Sequence, residues 1–160
     1  MNIKMIFYLL FLLFAITVQG NSQKPNFTKS AFYDAMASDN LEEINAQLNI
    51  IKGISINEKE AYEGALLMKK AGIVTKAKEK LSLFKSGRLK LEASIKNDSK
   101  NTEFYFLRLM IQEHAPKMVN YRNELENDSL FIRSNYKTLS QVVQQAIIEY
   151  SKKSKILKPL

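Results

Sequence analysis

Apolar residues recur every three to four positions along most of this chain, which is the spacing of amphipathic helices. One such stripe contains Leu41, Ile44, Leu48 and Ile51, and Gly53 follows it as a stop signal. Strict apolar–polar alternation, the pattern of strands, is not sustained anywhere. Short polar turns separate the periodic segments, so neighbouring helices are predicted to run antiparallel. The sequence predicts an all-α fold of six to seven helices, arranged as antiparallel helix pairs or an irregular helical bundle.

Polar residues in front of the apolar stripes mark where helices begin. A first helix is predicted over 27–37, and a long segment opening at Thr75 contains Gly87, which marks a kink or a close contact. Gly72 is expected just beyond the end of the third helix. The residues predicted to cap helices or to open a first turn are Thr28, Asp39 with Glu42, Asn57 with Glu60, Thr138 with Gln141, and Pro116.

Residues 104–111 are apolar on every side of a helix, apart from Arg108. A helix of this kind is usually central and buried. An unpaired buried charge is costly, so Arg108 must meet a carboxylate or extend to solvent. The alternative is an anion-recognising arginine in a groove floored by Phe104 and Tyr105. Candidate partners for a structural ion pair are Glu103, Glu63 and Glu92.

Residues 1–20 have the three-part pattern of a secretory signal. Lys4 is followed by an apolar run over 5–18, and Gly20 precedes the predicted cleavage point. A spanning helix needs about 20 apolar residues, so an uncleaved membrane anchor is the weaker alternative. We expect a periplasmic or secreted protein with a flexible leader over 21–26, one helical domain over 27–154 and a basic tail over 155–160.

Composition limits the chemistry. The 160 residues include no Cys and one His, so a disulfide framework, a Cys-ligated zinc site and a Cys nucleophile are excluded. No cofactor and no metal are expected. The net charge is +8, and we expect part of it to be a solvated surface. No nucleic-acid motif is present, whereas a weaker contact with an anionic membrane or polymer is expected through Lys152, Lys153, Lys155 and Lys158.

Two resemblances follow from particular segments. Residues 87–107 resemble the junction between two tetratricopeptide repeats, with Asp98 at the turn, Ser99 at the usual proline and Tyr105 near the usual aromatic. This resemblance implies stacked helix pairs. The phrases over 61–70, 79–87 and 143–153 are similar to small exported proteins of flavobacteria and their relatives. That similarity implies a periplasmic or secreted location.

Short catalytic-looking patterns are contradicted by their context. The segments 82–85, 38–40 and 85–87 match three motifs of penicillin-recognising enzymes, but their order is wrong and Lys85 would serve twice. His114 beside Glu113 is more typical of a helix end than of a general base. The acids Glu58, Glu60 and Glu63 are expected on an exposed helix face.

These observations favour a non-enzymatic exported protein that binds another envelope or extracellular protein. A carboxylate-based hydrolase and a carrier of an apolar ligand remain the alternatives. Binding is expected in a groove between helix pairs, with contact area or recognition supplied by Tyr62, Met68, Tyr105, Arg108 and Met118.

Overall fold

Seven α-helices account for most of residues 26–158, which are the residues that the computed structural model describes. No strand lies among them, so the all-α prediction is confirmed. The predicted signal and nearly all of the leader lie outside the described residues. The helices are α1 (Lys29–Ala37), α2 (Leu41–Lys52), α3 (Lys59–Ile73), α4 (Ala77–Asn97), α5 (Thr102–His114), α6 (Leu125–Asn135) and α7 (Gln141–Ser151), with 3-10 turns at Lys117–Val119 and Tyr136–Thr138.

The first two helices begin with side-chain caps. The Thr28 hydroxyl accepts a hydrogen bond from the backbone N–H of Ala31 at 3.2 Å, as predicted. The prediction of Asp39 as the second cap is wrong by one residue. Asn40 has the extended backbone of an N-cap, and its side-chain oxygen accepts from the N–H of Glu42 at 2.9 Å.

The other two predicted capping boxes do not form. Helices α3 and α7 follow Glu58 and Ser140, and neither of these side chains bonds a backbone N–H. Asn57 therefore lies before the cap position. Thr138 lies in a 3-10 turn, where its hydroxyl donates to the carbonyl of Asn135 at 2.7 Å instead of capping α7.

The segment after Pro116 is not the continuous helix that the apolar pattern predicts. Pro116 precedes a single 3-10 turn, and Asn120 then adopts a left-handed conformation with φ of 45°. A left-handed residue cannot continue a right-handed helix. The chain therefore runs irregularly until α6 begins at Leu125.

Helix α5 lies at the centre of the fold and contacts α3, α4 and α6. Ten of its thirteen residues are buried, which confirms the prediction of a central helix. The most extensive pairing is between α3 and α4, whose backbones approach closely at Gly64 and Gly87. The close contact expected at Gly87 is therefore confirmed. Gly72 lies inside the last turn of α3, not beyond it.

Residues 154–158, which include the described part of the predicted basic tail, pack onto the domain, while Lys155 and Lys158 stay exposed. Leu157 is fully buried. The Ser154 hydroxyl accepts hydrogen bonds from the N–H groups of Ile156 and Leu157, at 3.1 and 2.7 Å. Arg133 donates to the carbonyl of Lys158 at 2.7 Å. Within the described range, no helix is long and apolar enough to cross a membrane.

Candidate functional site

Arg108 lies at the centre of a buried ionic network between three helices. Its Nε and Nη2 atoms donate to the two carboxylate oxygens of Asp128 on α6, at 2.8 and 2.6 Å. Its Nη1 atom donates to Glu92 on α4 at 3.1 Å. A bidentate arginine–carboxylate pair fixes direction as well as distance. The network therefore sets how α4, α5 and α6 are oriented.

This geometry confirms the structural ion pair expected for Arg108 and corrects its partners. Of the three predicted carboxylates, only Glu92 contacts it. Glu63 instead pairs with Lys90 at 3.2 Å, and Glu103 faces a different cluster. Asp128 was not predicted as a partner, because it follows an irregular segment whose course the sequence does not reveal.

Tyr121, a buried residue of the irregular segment before α6, also belongs to the network. Its hydroxyl donates to the second carboxylate oxygen of Glu92, so Glu92 is held between a guanidinium and a phenol. The ring of Tyr121 packs against Phe84 at 5.7 Å between centroids. The Arg88 guanidinium lies 4.7 Å above the same ring, which is cation–π geometry.

A cleft of about 220 Å³ opens above this network. Its lining includes two guanidinium groups and two carboxylates, so the charges balance and the cleft is not an anion trap. Within the described part of the chain, the side-chain amides of Asn120 and Asn123 form no hydrogen bond, which leaves them available to a ligand. The lining residues are Arg88, Glu92, Arg108, Gln112, Asn120, Tyr121, Asn123 and Glu124.

The ionisation of the network follows from burial and pairing. Burial alone would lower the pKa of Arg108, but Asp128 and Glu92 together raise it above its usual value. Burial raises the pKa of Asp128, against the opposing effect of the hydrogen bonds from Arg108. Burial and the hydrogen bond to Glu92 raise the pKa of Tyr121 well above 10, its ordinary value. The phenol therefore stays protonated and remains a donor at neutral pH.

The predicted groove residues do not all come together. Tyr62 and Met68 lie in the core with exposed fractions of 0% and 3%, so neither offers contact area at the surface. Tyr105 is partly buried, with its ring 5.3 Å from the Arg108 guanidinium. Met118 is 89% exposed on the 3-10 turn that leads into the cleft-lining Asn120.

A second buried polar cluster surrounds Glu103 at the start of α5. One carboxylate oxygen accepts hydrogen bonds from the hydroxyls of Tyr33 and Tyr62, each at 2.9 Å. The other oxygen pairs with Lys29 at 2.6 Å. Every polar group of the cluster is paired inside the protein, so it joins α1, α3 and α5 without presenting a reactive atom.

Glu113 and His114 contact different partners instead of each other. Glu113 accepts hydrogen bonds from the hydroxyls of Tyr150 and Ser154, both at 2.7 Å, and from the N–H of Lys155 at 2.6 Å. His114 contacts the carbonyl of Met110 through Nδ1 at 2.9 Å. This arrangement does not resemble a base with an orienting carboxylate.

The remaining predicted chemistry is dispersed over the described surface. Lys90 bridges Glu60 and Glu63, which gives two of the clustered α3 acids a structural role. Ser82 and Lys85 are exposed on α4. Between residues 26 and 158, no group of three or more His, Asp or Glu residues is placed to hold a metal ion.

The cleft itself was missed by sequence reasoning. Its wall depends on the left-handed turn at Asn120, and asparagine tolerates that conformation better than most residues. The sequence feature that could have indicated this turn is Asn120, a few residues after Pro116. Comparison of the chain with protein-family models, characterised proteins and solved structures found no match.

Proposed function

We propose that this chain is an exported, non-enzymatic helical protein that acts by binding another protein of the cell envelope or the extracellular space. The observation that carries the proposal is the size and lining of the cleft above Arg108. Small-molecule sites usually have about 300–1,000 Å³. A polar cleft of about 220 Å³ fits one or two side chains of a partner better than a whole ligand.

The chemistry of the cleft supports recognition over catalysis. Asp128, the buried carboxyl whose pKa is raised, is 1% exposed and is held by both ends of the Arg108 fork. Glu92 already accepts hydrogen bonds from Arg108 and Tyr121. A hydrolytic acid–base pair needs carboxylates facing the substrate. These two are committed to protein contacts instead.

The groups left available suit a polar side chain of a partner. Asn120 and Asn123 offer amide donors and acceptors. Glu124 offers one carboxylate oxygen, since the other accepts from Asn127 at 3.1 Å, and Arg88 offers the guanidinium N–H groups that its stacking on Tyr121 leaves unused. Met118 stands exposed beside them, and methionine adapts well to varied protein surfaces. The groups on the floor of the cleft are hydrogen-bonded within the protein, whereas those on its rim are open to a partner. Such an arrangement suits preorganised recognition.

The proposal is tested by site-specific photocrosslinking in living cells. A photoreactive amino acid replaces Met118 in one strain and Asn49, an exposed residue of α2, in the control strain. We expect one discrete protein adduct from position 118 and none of the same mass from position 49. Equal adducts from both positions, or none from position 118, would contradict the proposal.

Two cleft variants then test the captured partner in purified form. Asn120→Gly removes the amide while keeping a residue that accepts the left-handed backbone. Asn123→Ala removes the second amide. We expect each variant to weaken binding by at least about fivefold, the loss typical of an important interface side chain. Unchanged affinity in both variants would place the partner elsewhere on the surface.

Export is tested separately. Mass spectrometry of the protein recovered from the cell envelope or medium is expected to show an N-terminus at Asn21. Recovery of an intact N-terminus in the membrane fraction would favour the uncleaved anchor.

A further inference from the structure

The first six residues of α4 extend beyond the packed part of the helix. Residues 75–82 are all exposed, which means that the first two turns of the helix are open to solvent on every side. The helix is buried only further along, at Gly87, Leu91, Ser94 and Ile95. A surface helix usually exposes one face, whereas this part of α4 exposes residues all around and can offer them to a partner.

This part of the molecule is strongly basic. Lys90 is neutralised by Glu60 and Glu63, and Glu92 by Arg108, so these groups contribute little. Among the described residues of α4 and its N-cap residue Lys76, Glu79 is then the one acid outside the ion pairs, and Asp98 follows at the far end of the helix. Against it stand six basic side chains outside the ion pairs, namely Lys76, Lys78, Lys80, Lys85, Arg88 and Lys96.

Large apolar side chains interrupt the positive charge. Leu81 is 63% exposed and Leu89 is 69% exposed. The 3.6-residue turn places Lys78, Lys85 and Leu89 on one stripe of the helix, and Leu81 beside it. The stripe is therefore both basic and apolar.

The segment over 117–122 adds to the same surface. Tyr121 fastens it to α4 through its contacts with Phe84 and Arg88. The segment itself exposes Lys117, Met118 and Arg122. We call the exposed residues over 76–89, which are Lys76 and the first part of α4, together with Lys96 and the segment 117–122, the α4 basic face.

We propose that the α4 basic face docks onto a phospholipid membrane surface that carries anionic headgroups. Lysine attracts such a surface, and leucine and methionine gain by entering the boundary between headgroups and acyl chains. An anionic polymer would use the same cations but would leave Leu81 and Leu89 without a favourable contact. The exposed leucines therefore favour the membrane. The face shares Arg88, Met118 and Asn120 with the cleft and its rim. The test below therefore changes residues that lie outside the cleft lining.

The experiment is co-sedimentation with vesicles at physiological salt. Neutral phosphatidylcholine vesicles are compared with vesicles that also contain phosphatidylglycerol, and heparin serves as the soluble polyanion. Protein produced from the full-length sequence is used, and every variant is prepared identically, so residues 1–25 contribute equally to each sample. Circular dichroism checks that each variant is folded.

Three double variants separate the possibilities. Lys78→Gln with Lys85→Gln removes charge from the face, and the expected loss is about 25-fold in affinity for anionic vesicles, about fivefold per lysine. Leu81→Ser with Leu89→Ser keeps the charge, and we expect at least about a tenfold loss. The matched control, Lys153→Gln with Lys155→Gln, removes two exposed lysines that lie outside the described ion pairs, and it is expected to change affinity by less than about twofold.

Each contrary result overturns the proposal. Equal binding to neutral and anionic vesicles would show that the basic residues do not contribute to membrane binding. Loss of binding in the Lys153 and Lys155 pair, with none in the Lys78 and Lys85 pair, would assign the contact to the lysines that follow α7. Full vesicle binding by the leucine pair, together with equally tight binding of heparin, would make the face a polyanion site.

Discussion

Replacing Gly87 by alanine is the most direct test of how α3 and α4 pack. The two helices approach so closely at this point that a Cβ atom at Gly87 would lie 2.5 Å from the carbonyl oxygen of Gly64. It would also lie 2.7 Å from Cγ and 3.0 Å from the backbone nitrogen of Met68. Two of these three atoms belong to the backbone, so a rotamer change cannot relieve the overlap.

The expected magnitude is the difference between two opposing effects. Alanine is favoured over glycine inside a helix by about 1 kcal/mol. Overpacking a tight contact usually costs about 1–3 kcal/mol and sometimes more. Because the overlap involves backbone of α3, we expect a cost at or above the upper end of that range. Gly87→Ala should therefore lower the free energy of unfolding by about 2 kcal/mol.

The assay is urea unfolding followed by circular dichroism, with Gly72→Ala as the matched control. Gly72 is also in a helix, near the end of α3, but a Cβ there would meet no atom within 4 Å. Its replacement is expected to stabilise the protein by a few tenths to about 1 kcal/mol. The two substitutions are chemically identical, so their opposite signs would isolate the effect of the helix crossing.

A Gly87→Ala variant as stable as the wild type or the Gly72→Ala control would mean that the helix crossing accommodates a methyl group without cost. A double variant adds a second criterion. At Gly64, a Cβ would lie 2.7 Å from the carbonyl oxygen of Gly87. Once one methyl group has separated the helices, the second should cost less, so the two changes should not be additive. Additive costs would mean that the two glycines do not share one contact.

Three further predictions concern polar and apolar contacts of α5, α6 and the C-terminal segment. Asp128→Asn should lower the free energy of unfolding by about 3 kcal/mol in urea titrations, because it leaves Arg108 buried beside one carboxylate. The control Asp39→Asn breaks an exposed ion pair and should change the free energy of unfolding little. Partial burial would raise the pKa of Glu113, but three hydrogen bonds lower it below its usual value. The stabilisation from Glu113 is therefore present above the unfolded-state pKa of about 4.3 and is lost as pH falls through the folded-state pKa. Glu113→Gln should accordingly flatten the acid limb of the unfolding free energy measured against pH. Leu157→Ala should cost about 2–4 kcal/mol in thermal unfolding because the side chain is fully buried, and an unchanged midpoint would mean that residues 154–158 are not packed.

The helical periodicity was sufficient to predict the fold class and the burial of α5. It was less informative about where helices begin, because Asp39 and Asn40 are both good caps and the choice between them depends on local backbone geometry. Leu157 was missed for a different reason. Four lysines surround it in sequence from 152 to 158, and burial is decided by the helices that this segment meets.

The functional site was harder to predict from the sequence than the fold, because its contacts are set by tertiary structure. Arg108 was predicted to need a carboxylate, and the network confirms that requirement. Its principal partner, Asp128, lies 20 positions away beyond an irregular segment, so helical spacing could not identify it. Tyr62 and Met68 were predicted at a binding groove but lie in the core. An aromatic or methionine residue at helical spacing can serve a core as readily as a surface.

The contact between α1 and α7 has a consequence for the order of folding. Tyr33 on α1 packs against Phe106, and Phe106 packs against Tyr150 on α7. The first described helix already packs on α2, α3 and α5, but its packing is completed only after the last helix has emerged from the ribosome. Helical domains often fold early through local contacts. This chain would instead complete its core late, and an incompletely synthesised copy would remain open to proteases and chaperones until α7 arrives.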